Sequence, residues 1–237
     1  MAFKIRIAIA NHYVEERTAR VGLFSFFGQG FIFRLLAFVL GLAVHEYGHA
    51  KMALLLGDDT AKKEGRVTLN PLAHLDLLGL LMILIVNFGW AKPVVFNPNK
   101  IRINRKLGIV LISLAGPFMN AILALLAILA LLAISSSGSA FWLTGVGMFL
   151  ANLSFWLAVV NIALFIFNLI PVPPLDGWKI LKYSLPPRWL SRSSQFERIG
   201  PFFLVLILIL PIGNTTLGGL VINSAISGIM GLFGLVA

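Results

Sequence analysis

The stretch LGIVLISLAGPFMNAILALLAILALLAI, residues 107–134, contains no charged side chain, and the charge-free run continues as far as Leu175. At ~1.5 Å per helical residue, this run is long enough to cross a hydrocarbon core of ~30 Å twice with a turn between the crossings. The whole chain of 237 residues is 59% hydrophobic and only 12% charged, a composition outside the range of soluble domains. The sequence therefore predicts a multi-pass membrane protein.

Further apolar segments define the rest of the predicted fold. Long ones run from about Phe31 to Leu56, Phe141 to Leu169, Pro201 to Ile212 and Leu217 to Val236. The run from Leu77 to Trp90 would reach only ~21 Å as a helix, which is too short to span, so we expect it to re-enter, with a β-hairpin as one form it could take. The predicted fold class is an all-α polytopic membrane protein with about five transmembrane helices plus this re-entrant segment.

The charged residues lie in the connections between apolar segments. Residues 57–66, 92–106 and 179–198 contain lysine and arginine, the residues that the positive-inside bias counts, whereas residues 135–140 and 213–216 carry no charge. By the positive-inside bias, this alternation places the three basic connections in the cytosol. The net charge of +10 therefore reflects membrane topology, and no interleaving of aromatic and basic residues suggests nucleic acid as a partner. We expect the lipid bilayer as a partner and a multi-pass location in the cell membrane.

Three ionisable side chains lie inside the first apolar segment, in LAVHEYGHA, residues 42–50. Such groups are costly at membrane depth and usually have a function. His45 and His49 are four residues apart, so a helix presents both imidazoles on one face, where they can hold one ion, while Glu46 projects in another direction. This is the HExxH arrangement of zinc hydrolases. The alternative is a pair of hydrogen-bonded histidines with no metal.

A catalytic zinc site usually needs a third protein ligand. The chain has no cysteine, so this ligand must offer nitrogen or oxygen, and the residues alone leave His12, His74, Asp76 and Asp176 as candidates. Asp176 follows a span that ends in NLIPVPPLDG and would lie ~12–18 Å from HEYGH if both helices were straight. An irregular proline-rich segment could close that gap where it lines a polar cavity. The alternative for Asp176 is an Asp-Gly turn that caps the next helix.

The motifs HEYGH and NLIPVPPLDG resemble the paired motifs of the site-2 proteases, which are intramembrane zinc metalloproteases. The similarity also takes in GDDTAKKEGRVTLNPLAHLDLLG, GWAKPV and SLAGPFMN, so it covers about residues 35–190 and points to the small branch without PDZ or CBS domains. It implies a site-2 protease core with a Zn²⁺ ion held by His45, His49 and Asp176. It also implies that Glu46 is the catalytic base, and that the substrate is a transmembrane protein.

The resemblance implies roles for two more residues. Asn120, in AGPFMN, matches a family asparagine that helps hold substrate, although an interhelical hydrogen bond is an equal alternative. His74 resembles a residue near the active site of this branch, and an interfacial histidine without such a role is its alternative. A substrate helix must unwind before cleavage, and a strand edge within Leu77–Trp90 could pair with it by strand addition.

The resulting functional prediction is an intramembrane zinc metalloprotease that hydrolyses a peptide bond within or near a transmembrane segment. The alternatives are a membrane metallohydrolase acting on a lipid or another amide, and a substrate-binding scaffold without activity. We expect one domain, residues 1–237. It comprises a polar N-terminal segment with a short strand (1–27), the catalytic core (31–190) and C-terminal helices (198–237).

Overall fold

The computed structural model describes residues 30–86, 89–136, 141 and 144–235. The polar N-terminal segment, residues 1–27, and its predicted strand lie outside the described residues. The helices are α1 (Phe31–Leu55), α2 (Thr60–Lys63), α3 (Leu77–Val86), α4 (Arg105–Ser136), α5 (Gly145–Leu169), α6 (Asp176–Ser184), α7 (Pro187–Ile209) and α8 (Leu217–Leu232). Two short strands, Pro211–Ile212 and Thr215–Thr216, pair antiparallel between α7 and α8.

Helices α1, α4 and α5 are long and apolar enough to cross a membrane. At ~1.5 Å per residue they are longer than the ~30 Å hydrocarbon core. The predicted class, an all-α polytopic membrane protein, is confirmed. The last two predicted segments correspond to the second half of α7 and to α8. Helix α8 is apolar but shorter, with 16 residues, and the crossing of the bilayer by these two helices stays a prediction.

The three long helices pack against one another, and α8 packs on α5. Small residues at the contacts allow this close packing, as is usual where helices associate in lipid. Ala37 and Ala158 are fully buried in the core. A Cβ atom on Gly48 would lie 2.6 Å from the carbonyl oxygen of Ala115, so the backbones of α1 and α4 are in direct contact. Any larger residue at this position would push the two helices apart.

The re-entrant segment, residues 75–90, is helical over Leu77–Val86, and this part does not form the β-hairpin that its length also allows. Leu77–Val86 forms α3, and the Asp76 side chain accepts a hydrogen bond from the Gly79 N–H at 2.8 Å. A helix satisfies its own backbone in apolar surroundings, whereas an isolated hairpin does not. The strand edge expected within Leu77–Trp90 is therefore wrong for the helical part of that run.

The two ends of the re-entrant segment meet. Leu75 and Ala91 form an isolated antiparallel bridge, and the Lys92 N–H donates to the His74 carbonyl at 2.8 Å. The chain therefore returns close to its starting point, as a re-entrant segment must. From Ala91, the second residue of the bridge, residues 91–97 form no helix and no regular strand, and we call them the cleft segment.

Two of the basic connections lie together at one end of the helical bundle. Asp58 is fully buried and accepts hydrogen bonds from the Thr60 N–H, the Thr60 hydroxyl and the Asn97 N–H. The Arg102 N–H donates to the Leu56 carbonyl at 2.8 Å. These bonds fasten the cleft segment to the end of α1, and the shared position of both connections agrees with the charge pattern.

Replacing Asp58 should destabilise the protein more than replacing its neighbour. Asp58→Ala leaves the partly buried N–H groups of Thr60 and Asn97 without this acceptor, and a fully buried group left so would cost about 1–3 kcal/mol. The control is Asp59→Ala, because the partly exposed side chain of Asp59 pairs with the lysines Lys63 and Lys100, each at 2.7 Å, and with no backbone N–H group in the described part of the chain. Thermal unfolding in detergent should give a lower midpoint for Asp58→Ala and little change for Asp59→Ala. Equal midpoints would contradict the fastening role of Asp58.

Candidate metal centre

The structure brings His45, His49 and Asp176 together. The two imidazoles lie on one face of α1 with their planes at 88°. Their Nε2 atoms are 3.0 Å apart, and Asp176 Oδ2 lies 3.1 Å from His45 Nε2 and 3.0 Å from His49 Nε2. All three side chains are buried. Among the described residues, this is the group of His, Asp and Glu side chains that could hold a metal ion.

Hydrogen bonds on the far side of each ring determine which nitrogen carries the proton. His45 Nδ1 lies 2.7 Å from Asn120 Oδ1, and His49 Nδ1 lies 2.7 Å from the Ile112 carbonyl oxygen. Both oxygens are acceptors, so each neutral ring carries its proton on Nδ1 and a lone pair on Nε2. Three atoms with lone pairs therefore face one another with no proton between them. A bound cation would make this arrangement of neutral rings favourable.

The donor set fits a zinc ion. Two imidazole nitrogens and one carboxylate oxygen are common ligands of catalytic zinc, which leaves a fourth position open. Tetrahedral bonds of ~2.0–2.1 Å place ligand atoms ~3.3 Å apart, close to the observed separations of 3.0–3.1 Å. The residues present thus match both the chemistry and the spacing that zinc requires.

Asp176 reaches the histidines because the chain reverses after α5. Residues 170–175 turn back through hydrogen bonds from the Val172 N–H to the Ile170 carbonyl and from the Leu175 N–H to the Val172 carbonyl. A Cβ atom on Gly177 would lie 2.3 Å from the Leu169 carbonyl oxygen, so the start of α6 lies against the end of α5. This reversal closes the gap that straight helices would leave.

Helix α4 supports both rings from behind with residues four positions apart. Ile112 and Asn120 supply the two acceptors, and Gly116 lies between them beneath the rings. A Cβ atom on Gly116 would lie 2.4 Å from His49 Nε2 and 2.8 Å from His45 Cε1. Residues at this spacing share one face of a helix. One face of α4 therefore sets the position and the protonation of both histidines.

Asn120 orients His45 and does not line the cavity. It is fully buried, and its amide nitrogen donates to the Gly41 carbonyl at 3.0 Å and to Asn161 Oδ1 at 2.7 Å. Asn161 in turn donates to the Leu157 carbonyl at 2.9 Å. The geometry thus supports the interhelical alternative for Asn120. Asn161 was not among the residues predicted from the sequence, although a polar side chain within a charge-free span is a signal for such a role.

The other candidates lie apart from the metal group. His74 is buried, its Nε2 donates to the Thr68 carbonyl at 2.9 Å, and it is not among the residues lining the cavity. Its role in substrate binding stays a prediction that the geometry does not support. Asp76 caps α3, and His12 lies outside the described residues.

A cavity of about 140 Å³ opens beside the metal group. Glu46 lines it, and its Oε2 accepts a hydrogen bond of 2.9 Å from the Val94 N–H in the cleft segment. Lys179 also lines it, with Nζ 3.1 Å from Asp176 Oδ1, so the two oxygens of Asp176 have different partners. Asn168 lines the same cavity. Neither Lys179 nor Asn168, which flank the LDG motif, was predicted from the sequence as a site residue.

A two-histidine, one-carboxylate group beside a glutamate, buried among apolar helices, defines the site of a membrane zinc metallopeptidase. The family model of Peptidase family M50 matches residues 144–211. The chain is 37% identical over 202 residues to the candidate zinc metalloprotease YwhC of Bacillus subtilis, covering 84% of this chain and 90% of YwhC. It is 32% identical over 189 residues to Rip2 of Mycolicibacterium smegmatis, named likewise, covering 78% of this chain and 69% of Rip2. No solved structure gives a significant match.

The chain therefore belongs to Peptidase family M50, the site-2 proteases. It is a zinc metallopeptidase of the membrane, as the sequence motifs predicted. The assignment of His45, His49 and Asp176 as zinc ligands, and of Glu46 as the base, is a prediction with which the geometry agrees.

A side chain on Gly116 should weaken zinc binding. In Gly116→Ala, the added methyl group would overlap His49, and the ring cannot move away without losing its bond to the Ile112 carbonyl. We expect zinc affinity to fall at least tenfold, in the range for lost support of a ligand. The measurement is competition with a chromogenic chelator. Gly228→Ala, where a Cβ meets open space, is the control, and unchanged affinity in Gly116→Ala would contradict the close fit.

Removing the acceptor of His45 should also weaken zinc binding. Asn120→Ala leaves the Nδ1 proton of His45 without a partner, and such losses typically cost 10–100-fold in metal affinity. The control is Asn152→Ala, because Asn152 is an exposed asparagine on α5 that bonds only to the Met148 carbonyl. The same chelator competition measures both variants. Equal affinities would show that Asn120 does not fix the orientation of His45.

Proposed function

We propose that the protein is an intramembrane protease that hydrolyses a peptide bond within or near a transmembrane segment of a membrane protein. The observation that carries this proposal is the depth of the metal group within a predicted span. His45 and His49 lie about ten and six residues before the end of α1 at Leu55, or ~15 and ~9 Å along the helix. A substrate bond must come to that depth to be cut.

The chemistry of cleavage favours an unwound substrate. A helix keeps its scissile carbonyl groups in its own hydrogen bonds. Local unwinding beside the metal group exposes the carbonyl that is to be attacked.

The cleft segment offers a place for such a chain to bind. Pro93, Val94 and Phe96 line the cavity, and residues 92–97 are in neither a helix nor a regular strand. Strand addition to an exposed backbone is a common way to hold an extended peptide. We therefore place the pairing edge here, in place of the run Leu77–Trp90 where it had been expected.

Glu46 is positioned to transfer protons in the reaction. Zinc, when bound, polarises the scissile carbonyl and lowers the pKa of water. The Val94 N–H occupies Oε2 of Glu46, which leaves Oε1 to take a proton from the attacking water and give it to the leaving amine nitrogen. Asp176 keeps one oxygen towards the histidines because Lys179 binds the other.

We further propose that the chain works as a single catalytic domain in the cell membrane. The match to YwhC extends over 84% of the chain, well beyond the two motifs. The apolar helices α1, α4 and α5 carry or support every residue of the metal group except Asp176.

Replacing Glu46 should separate catalysis from metal binding. We expect Glu46→Gln to retain zinc and to lose at least ~10²-fold in cleavage rate, since general acid–base catalysis contributes 10²–10⁴-fold. The assay uses a fluorescent transmembrane substrate in liposomes, with zinc content measured in parallel. Glu64→Gln, which changes an exposed glutamate after α2, is the control.

Mass spectrometry of the products locates the cut. A cut within or next to the apolar segment that Glu46→Gln abolishes supports the proposal. Cleavage that persists in Glu46→Gln would remove this residue as the base. Zinc-dependent turnover of a lipid or a small amide, without peptide products, would favour the non-proteolytic alternative.

A further inference from the structure

Arg66 is a buried cation that the metal centre does not use. It lies after α2, and its side chain is only 4% exposed. A buried guanidinium is costly unless it is paired or fully hydrogen-bonded. Among the described residues, no carboxylate lies within salt-bridge distance of it. Its partners are backbone carbonyl groups from two separate parts of the chain.

The guanidinium joins the two sides of the re-entrant segment. Its Nη1 donates to the carbonyl of Ala73, just before the segment, and its Nη2 lies 3.4 Å from the carbonyls of Lys92 and Pro93 in the cleft segment. The backbone N–H of Arg66 donates to the Ala61 carbonyl at 2.9 Å, so the main chain from which the side chain extends is held against α2. The planar fork of an arginine suits such a bridge, whereas a lysine offers one point of charge.

The residue next to this bridge contacts the proposed base. Val94 directly follows Pro93, and its N–H donates to Glu46 Oε2 at 2.9 Å. Pro93 and Val94 also line the cavity. The position of the cleft segment therefore determines where the Val94 N–H and the cavity wall lie relative to Glu46.

We propose that Arg66 is a positioning residue for peptide hydrolysis: its guanidinium ties Ala73 to Lys92 and Pro93, and so holds the Val94 N–H against the Glu46 carboxylate. This inference deepens the proposed function and rests on it only where cleavage is the readout. Arg66 touches neither the cavity nor the metal group. It acts on the reaction through the cleft segment.

The first test replaces the side chain. In Arg66→Met, the zinc-loaded protein in liposomes should keep its zinc and lose at least tenfold in kcat. Arg66→Lys keeps the charge but cannot bridge both sides, so it should show a similar loss. Hydrogen exchange followed by mass spectrometry should show faster exchange in peptides covering residues 91–97, with α1 unchanged. A general loss of stability would instead speed up exchange throughout the protein.

The decisive test replaces the link that the guanidinium makes with a disulfide between two nearby residues. The natural chain has no cysteine, and Leu75 and Ala91 face each other across the antiparallel bridge. The Lys92 to His74 hydrogen bond makes them a non-hydrogen-bonded pair, whose Cα separation of ~4.5 Å suits a disulfide. Leu75→Cys with Ala91→Cys should therefore cross-link the same two parts of the chain that Arg66 joins.

In the Arg66→Met background, oxidation of this cysteine pair should restore kcat to within about threefold of the same pair with Arg66 intact. Reduction should remove the recovery. If Arg66 acted through its positive charge and not through the link, the disulfide would not restore kcat. Full activity of Arg66→Met, failure of the oxidised pair to restore it, or failure of the disulfide to form when Arg66 is present would each overturn the proposal.

The two proposals can fail separately. If the wild-type protein cleaves no transmembrane substrate, the proposed function fails, but the exchange rates at residues 91–97 still test Arg66. If wild-type cleavage is normal and Arg66→Met changes neither kcat nor exchange, only the role of Arg66 fails. An Arg66→Met protein that does not fold is replaced in both assays by Arg66→Lys and by the oxidised disulfide variant.

Discussion

Two imidazole nitrogens and one carboxylate oxygen, each with a lone pair, lie close together inside an apolar bundle. The surrounding helices hold them in this position. His45 Nε2, His49 Nε2 and Asp176 Oδ2 lie 3.0–3.1 Å from one another. In surroundings of low dielectric constant, water does not screen the repulsion between them. A cation bound between the three atoms would remove this repulsion. Every element near the site contributes to the arrangement: α1 carries the histidines, α4 supports them, and the reversal after α5 brings the carboxylate.

The metal ligands and the base are held by different parts of the chain. The ligands are fixed within the bundle, where Gly116 lets α4 lie against the rings and a network of Asn120 and Asn161 links all three long helices. Buried networks of this kind give rigid geometry when every member has a partner. Glu46, although it lies between the two histidines in sequence, is held from outside the bundle by the Val94 N–H. The same segment lines the cavity, so the wall that a substrate meets also positions the proton-transfer group.

Local patterns in the sequence predicted the spans and the histidine pair. The length of an apolar run indicates a span, and the helical period of 3.6 residues places two histidines four residues apart on one face. The approach of Asp176 could be expected only from the family motif, because it depends on a chain reversal that no local pattern encodes. Length alone could not decide between hairpin and helix for Leu77–Val86, and the capping side chain of Asp76 was the available signal for a helix. Arg66 was not recognised, because within a basic connection it resembled ordinary positive-inside charge.

The location of Arg66 explains how a buried cation is tolerated near a membrane enzyme's active site. It lies in a connection at the end of the bundle, where backbone carbonyls are at hand, and not among the apolar helices. Burial there costs less than at the bilayer centre, where a charge is most unfavourable. Tight ligand geometry thus comes from packing inside the bundle, and the alignment of the base comes from polar contacts at its edge. A substrate that binds along residues 91–97 would consequently act on the very segment that presents the Val94 N–H to Glu46, which couples substrate binding to the position of the base.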